Sequence, residues 1–133
     1  MILEVAILDV KPGLGDQFEG AFDKAQQVIA SMKGYISHDL KKCLEQPNRY
    51  ILLVNWNTLE DHTQGFRESD QYQQWRALLH HFYDPFPVVE HYESVLPWFS
   101  LNQPIYAKFT SILKIMYKFG RLSPWIKQPH MCL

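Results

Sequence analysis

Four short apolar runs predict the strands of this chain. The run at 2–10 is rich in β-branched residues, and those at 35–46 and 49–56 flank the turn residues Pro47-Asn48 and so predict a hairpin. A fourth run, 85–96, carries its prolines only at its start, where an edge strand tolerates them. The spacing of these runs leaves room for two helices between them.

Apolar residues at steps of four and three predict the first helix. Its stripe consists of Phe18, Phe22, Ala25, Ile29 and Met32. We expect Asp16 to cap its start and Gly34 to end it with a left-handed residue. A second helical region should begin at Thr58, with Asp61 in the acidic position of its first turn, and restart at Ser69.

The predicted order is strand, helix, strand, strand, helix, strand, a ferredoxin-like βαββαβ pattern of the α+β class. Two helices can cover only one face of such a sheet. The runs 2–8 and 50–54, however, are apolar at positions that point to both faces. We therefore predict that a second copy covers the other face and that the protein is a homodimer.

Charge divides the 133-residue chain near residue 94. Residues 1–93 carry 14 acids against 8 Lys and Arg, a net charge of −6, whereas the remainder carries 5 Lys and Arg and no acid. We predict a domain at 1–96 and a basic, partly helical C-terminal extension at 97–133. The overall net charge of −1 gives no reason to expect a nucleic-acid partner.

The extension has two interpretations. Residues 105–119 place apolar residues on one helical stripe and lysines around it, as a helix on an anionic membrane surface does. The same charge would also dock on the acidic domain or extend the dimer, which we favour over membrane contact. The start of the chain lacks a basic, signal-like segment, and no apolar run is long enough to span a membrane. A cytoplasmic location is expected.

The middle of the chain carries the motifs of a known family. A strand ends in DVKPG, a hairpin ends in a Trp, an E-D-H turn follows, and S-x-x-Y-x-x-W opens the next helix. Over residues 1–96 the chain resembles the antibiotic biosynthesis monooxygenase family. The resemblance implies a dimeric α/β barrel and, as activity, cofactor-independent monooxygenation of a small aromatic, quinol or polyketide-like substrate.

The resemblance also extends to haem-degrading enzymes of this fold. Their branch uses an Asn on the first strand and a Trp and a His on the second helix. The corresponding positions here hold Asp9, Phe66 and Arg76, so all three differ. Haem binding is therefore the weaker alternative, supported only by the histidines His38, His80 and His91.

For an oxygenase, His62 is the predicted catalytic base. Histidine titrates near neutral pH and can take a proton from a phenol or quinol. Asn55 and Arg67 are predicted to stabilise the resulting anion. The alternative is that His62 lies in a solvated first helical turn.

Five further residues are predicted to bind the substrate. They are Trp56, Phe66, Tyr72, Trp75 and His91. Each aromatic ring could instead belong to the core. His91 either faces inward, with Val89 and Glu93, as part of an ionisable site, or packs as an ordinary interior histidine. His80 and His81 should close the second helix as dipole-compensating imidazolium groups.

No metal site and no cofactor are expected. Adjacent histidines on a helix point about 100° apart, and the zinc-binding spacings are missing. A competing function of another class remains open: a non-catalytic, dimeric small-molecule-binding or stress-response protein. A polar cluster inside a closed apolar pocket would favour the enzyme.

Overall fold

Residues 1–96, which the computed structural model describes, contain one antiparallel sheet in the order β2–β3–β1–β4. The strands are β1 (Ile2–Asp9), β2 (Tyr35–Lys42), β3 (Arg49–Trp56) and β4 (Val89–Tyr92). β1 pairs with β3 over its whole length, whereas β4 pairs only with residues 3–6 of β1. The central strand β1 thus contacts both β3 and the edge strand β4.

The helices α1 (Gly15–Ala30) and α2 (Asp70–Leu79) pack together against the sheet. A π-helical segment, Asp61–Phe66, precedes α2, and a 3-10 turn, His80–Phe82, follows it. The core lies between the helices and the even-numbered residues of β1 and β3. It includes Ala6, Leu8, Leu52, Val54, Phe18, Phe22, Ala25, Ile29, Trp75 and Leu79.

The odd-numbered residues of β1 and β3 point away from the helices. This outer face carries apolar side chains such as Val5, Ile7 and Leu53, and Ile7 is 39% exposed. Apolar exposure on a sheet face is unusual for an isolated domain. The observation agrees with the alternation that motivated the dimer prediction, although it does not identify what covers the face.

The predicted ferredoxin-like α+β fold and its element order are confirmed. Four residues of the predicted stripe, Phe18, Phe22, Ala25 and Ile29, are buried in α1, whereas Met32 lies after the helix and is half-buried. Thr58 and Asp61 form a reciprocal capping pair, since each backbone N–H donates to the other side chain at 3.2 Å. The Ser69 hydroxyl likewise accepts from the backbone of Tyr72 at the start of α2.

Several element ends differ from the prediction. Asp16 does not cap α1, because the helix begins at Gly15 and Asp16 lies in its first turn. The second strand ends at Lys42, so the connection between β2 and β3 is longer than two residues. The last strand spans only Val89–Tyr92; Pro85 and Pro87 cannot donate ladder hydrogen bonds.

Within residues 1–96, Met1–Val95 forms a single compact unit, and none of the helices is long and apolar enough to cross a membrane. The predicted extension at 97–133, with its helical stripe and its membrane or docking contacts, lies outside the described residues. It stays a prediction from the sequence.

Gly34 connects the turn after α1 to the region that carries the π-helical segment. Its φ of +82° is left-handed, as predicted, although α1 already ends at Ala30. Its carbonyl oxygen accepts from the backbone N–H of Asn57 at 2.8 Å. A Cβ at this position would collide with the Asp61 side chain, which caps the helical region. The turn therefore requires glycine on two grounds.

We expect Gly34→Ala to lower the free energy of unfolding by about 2 kcal/mol or more, since a left-handed residue with a Cβ costs about 1–2 kcal/mol and the collision adds to it. Urea unfolding monitored by circular dichroism measures the change. Gly20→Ala is the matched control. Gly20 lies inside α1 with open space around it, so this substitution should stabilise by about 0.5–1 kcal/mol. Equal effects of the two substitutions would contradict this account of Gly34.

Candidate active site

Glu4 is a carboxylic acid in the protein interior. It occupies an even position of β1, on the same face as Ala6 and Leu8, and is only 5% exposed. The strand register places it directly opposite His91 of β4. Buried carboxyl groups are rare because they lose hydration, and they persist where partners replace the lost water.

Trp56 supplies the first of these partners. Its indole Nε1–H donates to Glu4 Oε2 at 2.8 Å. Trp56 ends β3 opposite Ile2 of β1, so the indole reaches diagonally across the strands. The ring itself is fully buried and therefore has a core role as well as a polar one.

His62 is the second partner and lies in the π-helical segment. Its ring is 2% exposed and stacks on Trp56, with 5.4 Å between ring centroids. Its Nε2 lies 3.5 Å from Glu4 Oε1. Its Nδ1 is 2.7 Å from Nε2 of His91, a hydrogen bond whose direction depends on the tautomers. The four side chains therefore form one continuous polar chain, Trp56–Glu4–His62–His91.

Burial raises the pKa of Glu4 to about 7, outweighing the Trp56 hydrogen bond and the positive charge of Arg67, which both lower it. Near neutral pH the carboxyl group therefore exists in both its protonated and its ionised forms. A carboxyl group with this property can accept and return protons under physiological conditions.

Burial, the positive charge of Arg67 and the neighbouring His91 together lower the pKa of His62 to about 3. The imidazole is therefore neutral at pH 7. The expectation that His62 titrates near neutrality and serves as the primary base does not fit this environment. The group in the cluster with a near-neutral pKa is Glu4.

A cavity of about 80 Å³ lies beside this cluster, between the sheet and the helices. Glu4 and His62 contribute its polar side, and Phe66, Tyr72 and Trp75 contribute aromatic walls. An apolar cavity of about 150 Å³ admits benzene. The cavity as it stands thus has room for water or a very small molecule rather than for a ring.

Seven of the eight predicted site residues lie in this region. Five of them line the cavity: His62, Phe66, Arg67, Tyr72 and Trp75. Trp56 and His91 do not line it but contact the polar cluster through Glu4 and His62. His91 faces inward and Glu93 is exposed, so the predicted inward pairing of these two residues is not formed. The ionisable neighbours of His91 are His62 and Glu4.

Asn55 is the exception. It occupies an odd position of β3 and donates to the Ser37 hydroxyl at 3.0 Å on the outer face of the sheet. Successive strand residues point to opposite faces, so Asn55 cannot share the cavity with the inward-facing Trp56. In this geometry Asn55 does not reach an anion bound beside His62.

His80 was expected to close the second helix as an imidazolium. It is the C-cap residue of α2, begins the 3-10 turn that follows and lines the cavity. Burial lowers its pKa, as do the positive charges of Arg76 and Arg67. His80 therefore ends the second helix as predicted, but its lowered pKa disfavours the charged form that would compensate the helix dipole.

Sequence reasoning missed Glu4, Tyr83 and His80 as cavity residues. A signal for Glu4 was present, because it is an acid at the same alternation as Ala6 and Leu8 in an otherwise apolar run. Burial raises the pKa of the Tyr83 phenol, which therefore stays protonated.

The described part of the chain offers no group of three His, Cys, Asp or Glu side chains that could hold a metal ion. His62 Nδ1 and His91 Nε2 are hydrogen-bonded to each other, so these two nitrogen atoms do not point together at a metal ion. Glu4 approaches the Nε2 of His62, on the other side of the ring from the nitrogen that faces His91.

The protein has a ferredoxin-like fold with a polar cluster between its sheet and its helices. The model of the antibiotic biosynthesis monooxygenase family matches residues 1–78. The uncharacterised protein YczJ of Bacillus subtilis is 57% identical over 95 residues, which cover 71% of this chain and all of that protein. The chain belongs to the antibiotic biosynthesis monooxygenase family.

Solved structures agree with this assignment. A candidate antibiotic biosynthesis monooxygenase from Bordetella bronchiseptica is 34% identical, with a TM-score of 0.69 over 71% of this chain and 97% of that chain. A mutant of SnoaB from Streptomyces nogalater, a cofactor-independent oxygenase, matches with a TM-score of 0.64 over 77% of this chain and 97% of its own. At 15% identity the second match supports the fold alone.

We expect Glu4→Gln to change the pH dependence of stability. The pKa of Glu4 is raised from about 4.5 in the unfolded chain to about 7, so its ionisation opposes folding. The wild type should lose stability relative to Glu4→Gln as the pH rises from about 4.5 to about 7, by roughly 3 kcal/mol. Urea unfolding at a series of pH values between 4 and 8 measures this difference.

Glu60→Gln is the control for this series, since Glu60 is an exposed carboxyl group directly before the π-helical segment. Its stability should follow that of the wild type at each pH. A constant difference between the wild type and Glu4→Gln across the series would show that Glu4 does not titrate in this range.

Proposed function

We propose that this protein is a cofactor-independent monooxygenase of a small aromatic substrate, with Glu4 as the group that accepts the substrate proton. One observation carries the proposal: a buried carboxyl group, with a pKa of about 7, lies at the wall of an aromatic cavity. Membership of the monooxygenase family supports it. The substrate class comes from the aromatic lining and from the family.

The proposed reaction begins with deprotonation of an acidic O–H or C–H group of the substrate by the Glu4 carboxylate. The electron-rich anion then reduces dioxygen directly. For a ring methylene, one oxygen atom becomes the new carbonyl oxygen and the other leaves as water. The two methylene hydrogens are lost as protons, the first of them to Glu4, and the leaving oxygen takes up two protons by exchange with solvent. The substrate supplies all four electrons, so the reaction balances without a cofactor.

Arg67 is proposed to stabilise the substrate anion. Its side chain lines the cavity, and its positive charge already lowers the pKa of Glu4, His62 and His91. A positive charge at the same wall favours a negative charge on the substrate oxygen. His62, being neutral, can donate one N–H without carrying charge itself.

Substrate binding requires the cavity to widen. Its volume of about 80 Å³ is below what a single ring needs, but part of its wall is exposed to solvent. Phe86 is 62% exposed, Arg67 is exposed and Tyr72 is half-buried. Rotation of these outer side chains would enlarge the cavity without disturbing Glu4, whereas the core beneath it is closely packed.

The small cavity volume favours the second candidate, a non-catalytic binding protein. Such a protein would bind a compact polar ligand through Glu4, His62 and Arg67 without oxygen chemistry. The haem alternative has less support, because a cavity of about 80 Å³ cannot hold a porphyrin. His38, one of its predicted ligands, is hydrogen-bonded to Tyr35 and Gln26 outside the cavity.

We expect purified protein to consume oxygen with single-ring hydroquinones or anthrone-like phenols in the absence of added flavin and metal. Glu4→Gln keeps an acceptor for the Trp56 N–H but cannot take a proton, so kcat should fall by about 100-fold or more. An oxygen electrode with substrate-only blanks measures the rates. His62→Gln should lower the rate less, because His62 is not the primary base.

His38→Gln is the matched control, as it removes a half-buried histidine that does not contact the cavity. It should leave the rate near that of the wild type. Absence of oxygen uptake by the folded wild type with every substrate would refute the oxygenase proposal. Saturable ligand binding without turnover would then establish the binding protein.

We also propose that the outer face of the sheet is the homodimer interface. Apolar residues of β1 and β3 line this face. A groove on it is formed by Val5 and Ile7 of β1 together with Phe86, Val88 and Tyr92. Burial of such apolar surface favours association. The proposed cytoplasmic location rests on the sequence alone.

A charge on this face should separate the subunits, because an ammonium group would lose its hydration in the interface. We expect full-length wild type to sediment as a dimer and Ile7→Lys to shift toward monomer. Analytical ultracentrifugation measures the masses. Leu59→Lys is the control, since Leu59 is similarly exposed, at 40%, but lies after β3 and off the sheet. A monomeric wild type would contradict the proposal.

A further inference from the structure

We propose that His91 is the proton exit of the site, and that protons taken up by Glu4 leave to solvent through His62 and His91. The inference rests on the proposed function for its role in turnover, but the relay itself is a property of the free protein. It assigns His91 a positioning and proton-transfer role rather than a substrate contact.

Exposure to solvent is lowest at Glu4 and His62 and higher at His91. Glu4 and His62 are 5% and 2% exposed, and both line the cavity. His91 is half-buried, does not line the cavity and belongs to the edge strand β4. A proton on Glu4 would reach solvent by this route after two transfers. The first requires the 3.5 Å between Glu4 and His62 to shorten to hydrogen-bond distance, and the second follows the existing 2.7 Å hydrogen bond to His91.

The two imidazoles can only change tautomer together. In the relay, protonated Glu4 donates its O–H to His62 Nε2 once the two atoms approach to hydrogen-bond distance, and His62 Nδ1–H donates to His91 Nε2. Moving one proton along each bond ionises Glu4 and leaves both rings protonated at Nε2. One proton then leaves His91 Nδ1 for water. Each proton that Glu4 gives up is thus balanced by one released at His91, and no imidazolium needs to persist.

The charges around the relay favour this neutral path. Arg67, from the segment that follows His62, disfavours a positive charge on both imidazoles, and neutral His80 adds none. On β4 itself, Glu90 and Tyr92 point to the opposite face and are bonded to each other. Glu4, on β1, is the acidic group that faces the pair from the packed elements of residues 1–96.

A structural role for His91 is the competing explanation, because the hydrogen bond to His62 would also hold the ring in place. The two explanations differ in what Gln at position 91 would do. Glutamine can still hydrogen-bond to His62 Nδ1, so packing and orientation are retained. It cannot receive a proton at one atom and release another, so a relay would stop.

Nuclear magnetic resonance of the ring nitrogens tests the relay without any substrate. As the pH passes through the titration of Glu4, the protonated nitrogen should change from Nδ1 to Nε2 in both His62 and His91 over the same pH range. Glu4→Gln should abolish the change in both rings. Independent titration of the two histidines, or a change that persists in Glu4→Gln, would overturn the proposal.

Turnover gives a second readout. In weak buffer, His91→Gln should lower kcat by about tenfold or more, and added imidazole should restore it by accepting the proton at the opening. His38→Gln should show neither effect. A loss that imidazole does not restore indicates a structural role and overturns the relay. Coupled tautomers without oxygen uptake by the wild type would support the relay while refuting the oxygenase.

Discussion

The buried carboxyl group of Glu4 is the constraint on which the other features of the site depend. Removing an ionised carboxylate from water costs several kcal/mol unless partners compensate. Here the Trp56 indole donates to one oxygen and His62 approaches the other. The remaining cost appears as a raised pKa, so the carboxyl group gains a proton near neutrality instead of staying ionised.

The register of the sheet fixes the position of this group. Glu4 lies opposite His91 on one side and is paired with Val54 of β3 on the other, which brings Trp56 within reach. A slip of one residue would turn Glu4 to the outer face and replace it with an apolar neighbour. The Thr58–Asp61 cap and the turn at Gly34 fix the π-helical segment, which carries His62 into the interior. Fold and site therefore depend on the same contacts.

The fold could be predicted because its signals are local. The stripe of α1, the hairpin and the caps at Thr58 and Ser69 each involve residues only a few positions apart, and the order of elements limits the topology. The cluster could not be predicted in the same way. Residues 4, 62 and 91 meet through strand pairing and helix packing, and no short motif joins them.

Part of the site could nevertheless be predicted from the sequence. The alternation along β3 already implies that Asn55 and Trp56 face opposite sides, so assigning both to one pocket conflicted with elementary strand geometry. Residue type alone assigns a near-neutral pKa to His62, because histidine usually titrates there, and so could not identify Glu4 as the group with that pKa. Burial reverses the expectation here, since it lowers the pKa of His62 and raises that of Glu4.

These opposite shifts mean that the cluster destabilises the fold on both sides of its titration range. Above about pH 7 the ionised Glu4 opposes folding, and as the pH falls below about 6.5 the unfolded chain gains from protonating His62 while the folded chain does not. At its end of the range, the effect of Glu4 amounts to roughly 3 kcal/mol and that of His62 to roughly 5 kcal/mol. A pair of apolar residues would avoid both costs. A buried pair that lowers stability at either end, beside a cavity, is the arrangement expected where proton transfer rather than packing sets the choice of residues.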